Sequence, residues 1–130
     1  MTRPVVAEAA LLALCAAILL SAPPARAAGD AAKGEMVFKR CLICHTIAAG
    51  APSRVGPNLH GLFDREAGKA TGYATYSAGL KNADFKWDDE KLGKWLDNPM
   101  AFSQGARMAF RLTNAEERQD VIAYLHQATK

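Results

Sequence analysis

Three cysteines among 130 residues are too few for a disulfide scaffold. No apolar run reaches the ~20 residues that a bilayer crossing needs. Nor is there a run of five or more like charges, and the formal net charge is only +3, so nothing in the charge pattern points to a nucleic-acid arm. Collagen, coiled-coil and solenoid repeats are missing as well. The chain does hold 50% hydrophobic and 22% charged residues. That is too charged for a polytopic membrane protein and too apolar for a disordered one, and the length suits a single domain.

The beginning of the chain reads as an address. Arg3 precedes an uncharged apolar stretch of 14 residues, Ala9 to Ala22, followed by Pro23-Pro24 and then Ala25-Arg26-Ala27. A basic start, a short apolar middle and a small-x-small end make a secretory signal peptide, with cleavage expected after Ala27. The run is short for an anchor, which favours export over an uncleaved membrane segment. Residues 1–27 are thus expected to be the leader and residues 28–130 the functional domain, located in the periplasm. Cleavage removes two basic residues, one acidic residue and Cys15, leaving 103 residues, a formal charge of +2 and only Cys41 and Cys44.

Periodicity in the remaining chain suggests an all-α fold of about four short helices joined by long loops. Asp30 is a candidate N-cap for a helix running to about Arg40, with Val37, Phe38 and Cys41 on one face. From Ala48 to Thr75 glycine and proline interrupt any pattern, and a loop of that length in a small domain implies that it wraps around something. Ser77 can cap a short helix through Lys81. Asp88 can cap another, with Leu92, Trp95 and Leu96 at helical spacing before Asn98-Pro99 ends it. Thr113 to Glu116 fits a capping box ahead of Val121, Ile122, Tyr124 and Leu125. No strand is expected.

Cys41-Leu42-Ile43-Cys44-His45 is the pattern of c-type haem attachment. On a helical turn both thiols project to one side, close enough to add as thioethers across the two vinyl groups of one porphyrin, and the adjacent imidazole can bind iron. A zinc site would need further cysteines, and only His60 and His126 remain as other strong ligands. A thioredoxin-like dithiol would need a βαβ context and gives His45 no role. One covalent haem c also answers how a small, loop-rich domain is stabilised.

The group on the other axial side of the iron decides the chemistry: an open position binds gases or peroxide, a filled one leaves electron exchange. The candidates are Met36, Met100, Met108, His60 and His126. Met36 shares a helix with Cys41, His126 fits a solvated place on the last helix, and His60 lies in the proximal loop. Met100 and Met108 both follow the Pro99 break. Gly105 permits a turn that aims Met108 inward, which favours it over Met100.

The chain resembles the class I cytochromes c of the mitochondrial and bacterial c2-like type over nearly all of residues 28–130. The resemblance rests on Gly29 to Gly34 with Phe38 and Cys41 to His45, on Gly56 to Phe63 with Arg65 and Gly68, on Trp87, Asn98-Pro99 and Gly105 to Phe110, and on Tyr124-Leu125. It implies a small cytochrome c fold wrapped around one haem. It also implies His45 and Met108 as iron ligands, and the Pro57 carbonyl as acceptor for the second imidazole nitrogen. Arg65, Tyr76 and Trp87 would face the propionates, and Gly34 and Phe38 would pack against Tyr124 and Leu125. A loop longer by one residue leaves Tyr73 as an alternative to Tyr76.

Three departures stand out. Ala106 replaces a frequent threonine hydroxyl. Trp95 stands where a tyrosine often reaches the ligand sulfur, which puts that hydrogen bond in question. Met100-Ala101-Phe102 stands where mitochondrial relatives carry lysines. The resemblance implies a monomeric, non-enzymatic one-electron carrier, with redox proteins as donor and acceptor and neither nucleic acid nor stable membrane insertion involved. Alternatives are a haem subunit of a dehydrogenase complex, or a haem enzyme or gas-binding protein with a labile distal ligand. With few lysines and two propionates offsetting the charge, docking is expected to use an apolar patch including Met100, Ala109 and Phe110, with weak salt dependence.

Overall fold

A computed structural model of the chain describes residues 28–130; the leader read at residues 1–27 lies outside them. Five α-helices follow one another among the described residues: α1 (Ala31–Phe38), α2 (Ala78–Lys81), α3 (Asp89–Asp97), α4 (Pro99–Phe102) and α5 (Ala115–Ala128). A 3₁₀ turn, Cys41–Ile43, carries the start of the attachment motif. Among the described residues the only β pairing is one antiparallel bridge, Glu66 with Lys86. The fold is all-α and loop-rich.

The helix caps explain the boundaries. Asp30 accepts hydrogen bonds from the Ala32 and Lys33 amides, Ser77 from Leu80 and Asp88 from Lys91, each satisfying donors that a helix start leaves open. The last helix starts one residue later than a capping box at Thr113 would place it. Asn114 is the cap, because its Oδ1 reaches the amides of both Glu116 at 2.9 Å and Glu117 at 3.1 Å. Pro99 does more than end α3. With Asn98 capping, it takes the first position of α4, where a missing amide costs nothing and its fixed φ suits the helix.

Packing of α1 across α5 frames one side of the domain. Gly34 lies so close that a β-carbon there would collide with the Asp120 carbonyl, so only glycine lets the backbones approach. Phe38 then packs on Tyr124 with ring centroids 5.3 Å apart, beside the buried Val121 and Leu125. The buried Asp120 carboxylate accepts from the Asp30 amide at 2.7 Å and ties the entry of α1 to α5.

The long loop between α1 and α2 is ordered by side chains that replace a ladder. Asn58 donates from Nδ2 to the carbonyls of Ala48 and Ala51, at 2.9 and 2.7 Å, and its Oδ1 accepts from the His60 amide at 2.6 Å. Arg65 donates to the carbonyls of His60 and Asn58. Such bonds satisfy backbone groups that neither helix nor sheet engages. Beyond α4 the chain is fastened to α3: the Leu112 amide donates to the Leu96 carbonyl at 2.7 Å and Arg111 Nε to the Asp97 carbonyl at 2.8 Å. Loop and distal stretch are thereby held as two walls with a space between them.

Candidate functional site

That space is a cavity of ≈ 380 Å³ with a mainly apolar lining. Cys41, Cys44, His45 and Pro57 contribute to it from the attachment turn and the loop after it. Arg65, Tyr76 and Trp87 contribute from the middle of the chain, and Met108 from the stretch after α4. All eight candidate site residues therefore meet in one place.

At the attachment turn, the amides of Cys44 and His45 both donate to the Cys41 carbonyl, at 3.0 and 2.9 Å, and this tight fold brings both thiols to the cavity. The thiols are free of any disulfide. Burial pushes the Cys41 thiol up to about 11, with Arg40 pulling weakly the other way. A redox dithiol needs a depressed pKa, so this environment does not suit thioredoxin-like exchange. Among the described residues no group of three or more His, Cys, Asp or Glu side chains converges as an ion site, which leaves a protein-only zinc centre without support.

His45 Nδ1 lies 2.8 Å from the Pro57 carbonyl. A carbonyl can only accept, so Nδ1 carries the proton and Nε2 keeps its lone pair, the form that binds a metal. Burial holds the imidazole below its usual pKa, against the opposing pull of the Pro57 carbonyl, and so favours that neutral form. Gly56 supports the ring: a β-carbon there would press into the imidazole. Sequence reasoning gave Gly56 no role, and its only signal was a glycine directly before Pro57.

Met108 alone among the five candidates for the opposite side lines the cavity. Met36 and Met100 are 62% and 57% exposed, on α1 and α4. The backbone of His60 is taken up by Asn58 and Arg65. His126 is exposed on α5, as its place on the last helix suggests, and is also held there: it stacks on Phe63 at 3.8 Å and its Nε2 lies 2.6 Å from Asp89 Oδ1. The hydrogen bond put in question by the tyrosine replacement is present. Trp95 Nε1 donates to Met108 Sδ at 3.3 Å.

The remaining polar groups divide by what they have left to give. Tyr73 donates its hydroxyl to the Val55 carbonyl at 2.9 Å, so its proton is committed at the rim. The Tyr76 hydroxyl accepts from the Ala70 amide at 3.3 Å and keeps its proton to donate. Burial raises the Tyr76 pKa, only partly offset by the Ala70 amide and Arg65, and keeps that hydroxyl neutral. Trp87 lines the cavity, and its indole N–H donates to no protein atom among the described residues. These donors fit the carboxylates of a bound haem, as the thiol pair fits its vinyl groups and the apolar walls fit its faces.

Known proteins resemble this chain over nearly all of the described residues. The family described as Cytochrome c matches residues 31–129. The chain is 43% identical over 104 residues to a cytochrome c of Kluyveromyces lactis, covering 78% of this chain and 94% of the relative. It is 44% identical over 110 residues to a cytochrome c of Ginkgo biloba, covering 83% and 93%. A cytochrome c2 of Rhodomicrobium vannielii is 41% identical over 119 residues, or 91% of this chain and 94% of the relative.

Proposed function

Because this chain belongs to the cytochrome c family, and as such is a small electron carrier with one haem c joined through Cys41 and Cys44, we propose that it is a soluble periplasmic carrier of single electrons, ligating its iron through His45 and Met108. It runs between a membrane complex or dehydrogenase as donor and a terminal oxidase or reductase as acceptor. The observation that carries the ligation is the pairing of His45, fixed by the Pro57 carbonyl, with Met108, fixed by the Trp95 indole, on one cavity.

When bound, the haem supplies an iron that changes oxidation state by one electron. The chain's residues do the rest. His45 offers Nε2 because Pro57 occupies Nδ1, and the same bond raises the basicity of the imidazole. Met108 offers a soft, neutral thioether that favours the ferrous state and raises the reduction potential. Leu80, Leu92 and Leu96 keep water from that side. Arg65, Tyr76 and Trp87 supply the charge and donors for the propionates.

The docking face is the rim of the cavity. Ile43 and Val55 are each 77% exposed there and Phe110 40%, with the Arg40 guanidinium 5.9 Å from the Phe110 ring centre. Ala109 and Phe110 belong to this rim, whereas Met100 does not line the opening. Arg40 is already paired with Glu117 at 2.8 Å, which weakens it as a steering charge and supports weak salt dependence. Export is supported by the apolar run and the small-x-small end of residues 1–27. The similarity to cytochrome c2 spans 91% of the chain, more than residues 28–130 alone, and so reaches into the leader.

An optical spectrum tests the ligation. A six-coordinate low-spin haem is expected, with a methionine–iron charge-transfer band when oxidised and no response to carbon monoxide. A high-spin spectrum that shifts with the gas would support a gas-binding or enzymatic role instead. N-terminal sequencing of the protein from a periplasmic extract should begin at Ala28.

A further inference from the structure

Four of the ten aromatic side chains form one cluster, which reaches Met108 through Trp95. Trp95 from α3 is 8% exposed and donates its only N–H to the Met108 sulfur. Trp87 meets it edge-on at 5.6 Å, and Phe102 from α4 meets it at 6.0 Å with the planes at 90°. Phe102 also stacks on Trp87 at 5.6 Å and 29°, while Phe85 closes the cluster against both Trp87 and Phe102. The indole is thus gripped on two sides by rings that come from different elements.

An indole differs from other donors that could stand here. It has one N–H and no acceptor, so the sense of its bond to the sulfur is fixed. A hydroxyl can rotate and also accept. The indole can change its donation only by moving the whole ring, and the neighbouring rings decide whether it can move. The Pro99-started turn α4 exists in a stretch that sequence alone reads as a break, and it delivers Phe102 to this place.

The Trp95 indole is the donor that locks the Met108 sulfur, at a position where the resemblance already implies one. Resting on the proposed Met108 ligation, we propose that Phe102 is a positioning residue that acts on that sulfur through Trp95, by holding the indole in donating orientation. Phe102 touches neither ligand function directly. Its effect on Met108 therefore exists only while Trp95 has an N–H to aim.

A double-mutant cycle on the haem-loaded full protein tests this, with added imidazole as a probe that competes with Met108 for the iron. Trp95→Phe keeps an aromatic ring and removes the donor; imidazole should bind about three- to ten-fold more tightly, the range of one net hydrogen bond, and the midpoint potential should fall. Phe102→Leu keeps apolar bulk and loses the flat face; it should tighten imidazole binding about two- to three-fold in the natural background and leave it unchanged in the Trp95→Phe background. Equal Phe102→Leu effects in both backgrounds would overturn the role of Phe102. Unchanged imidazole affinity in Trp95→Phe would overturn the lock, provided Met108→Ala alters the spectrum. If Met108→Ala leaves the spectrum untouched, the ligation itself has failed and the lock falls with it.

Discussion

On the His45 wall the group that fixes the proposed ligand is a backbone carbonyl twelve residues along the same loop, whereas on the Met108 wall it is an indole thirteen residues back, on α3. The sequence separations are nearly equal, but the physics differs. A carbonyl at position 57 persists whatever side chain stands there, so the His45 orientation depends on the path of the loop, set by Gly56, Asn58 and Arg65. The Trp95 bond exists only for a residue with a donor at the right reach, and only while its aromatic neighbours hold it. The first wall is built by chain geometry and the second by side-chain identity, which makes the second the place where substitution tunes the ligand.

Four substitutions probe that contrast, in falling order of effect. His45→Ala removes the proposed ligand beside Cys44, and the low-spin spectrum should vanish altogether. Met108→Ala should leave the haem attached, open the iron to carbon monoxide and lower the midpoint potential, both followed by absorption during a redox titration. Gly56→Ala drives a β-carbon toward the imidazole; it should cost about 1–3 kcal/mol in denaturant unfolding, the ordinary penalty of overpacking. Pro57→Ala sharpens the comparison most. It retains the carbonyl, so it should cost under about 1 kcal/mol through a looser unfolded chain and leave the spectrum unchanged. A large spectral change in Pro57→Ala would mean that the side chain, not the backbone, fixes His45.

The same contrast explains what could be read from the sequence. The attachment turn needs residues within five positions of one another, and Cys41, Cys44 and His45 are visible together for that reason. The caps Asp30, Ser77 and Asp88 act on amides two or three residues away and are equally local. The loop was legible as a loop, but the work of Asn58 in tying Ala48, Ala51 and His60 was not, since a polar loop residue carries no mark of its partners. Pro99 reads as a stop because proline does end helices, yet with Asn98 capping it also begins one. Trp95 fell on the apolar face of α3 as expected. Its N–H pointing at sulfur depends on where α4 and the Met108 stretch pass, and no pattern within α3 contains that. Tyr73 and Tyr76 are alike in the sequence, because the Val55 carbonyl that takes the Tyr73 proton lies eighteen residues away.

The ligation of the iron by His45 and Met108 is the claim on which the carrier role depends, and proton NMR of the reduced protein addresses it directly. A methionine bound to haem iron holds its methyl group over the face of the ring, where the ring current moves its resonance far upfield of any ordinary methyl. One such three-proton signal is expected in the natural protein and in Met100→Leu, and none in Met108→Ala. No upfield methyl signal in the natural protein, or one that persists in Met108→Ala, would contradict the account.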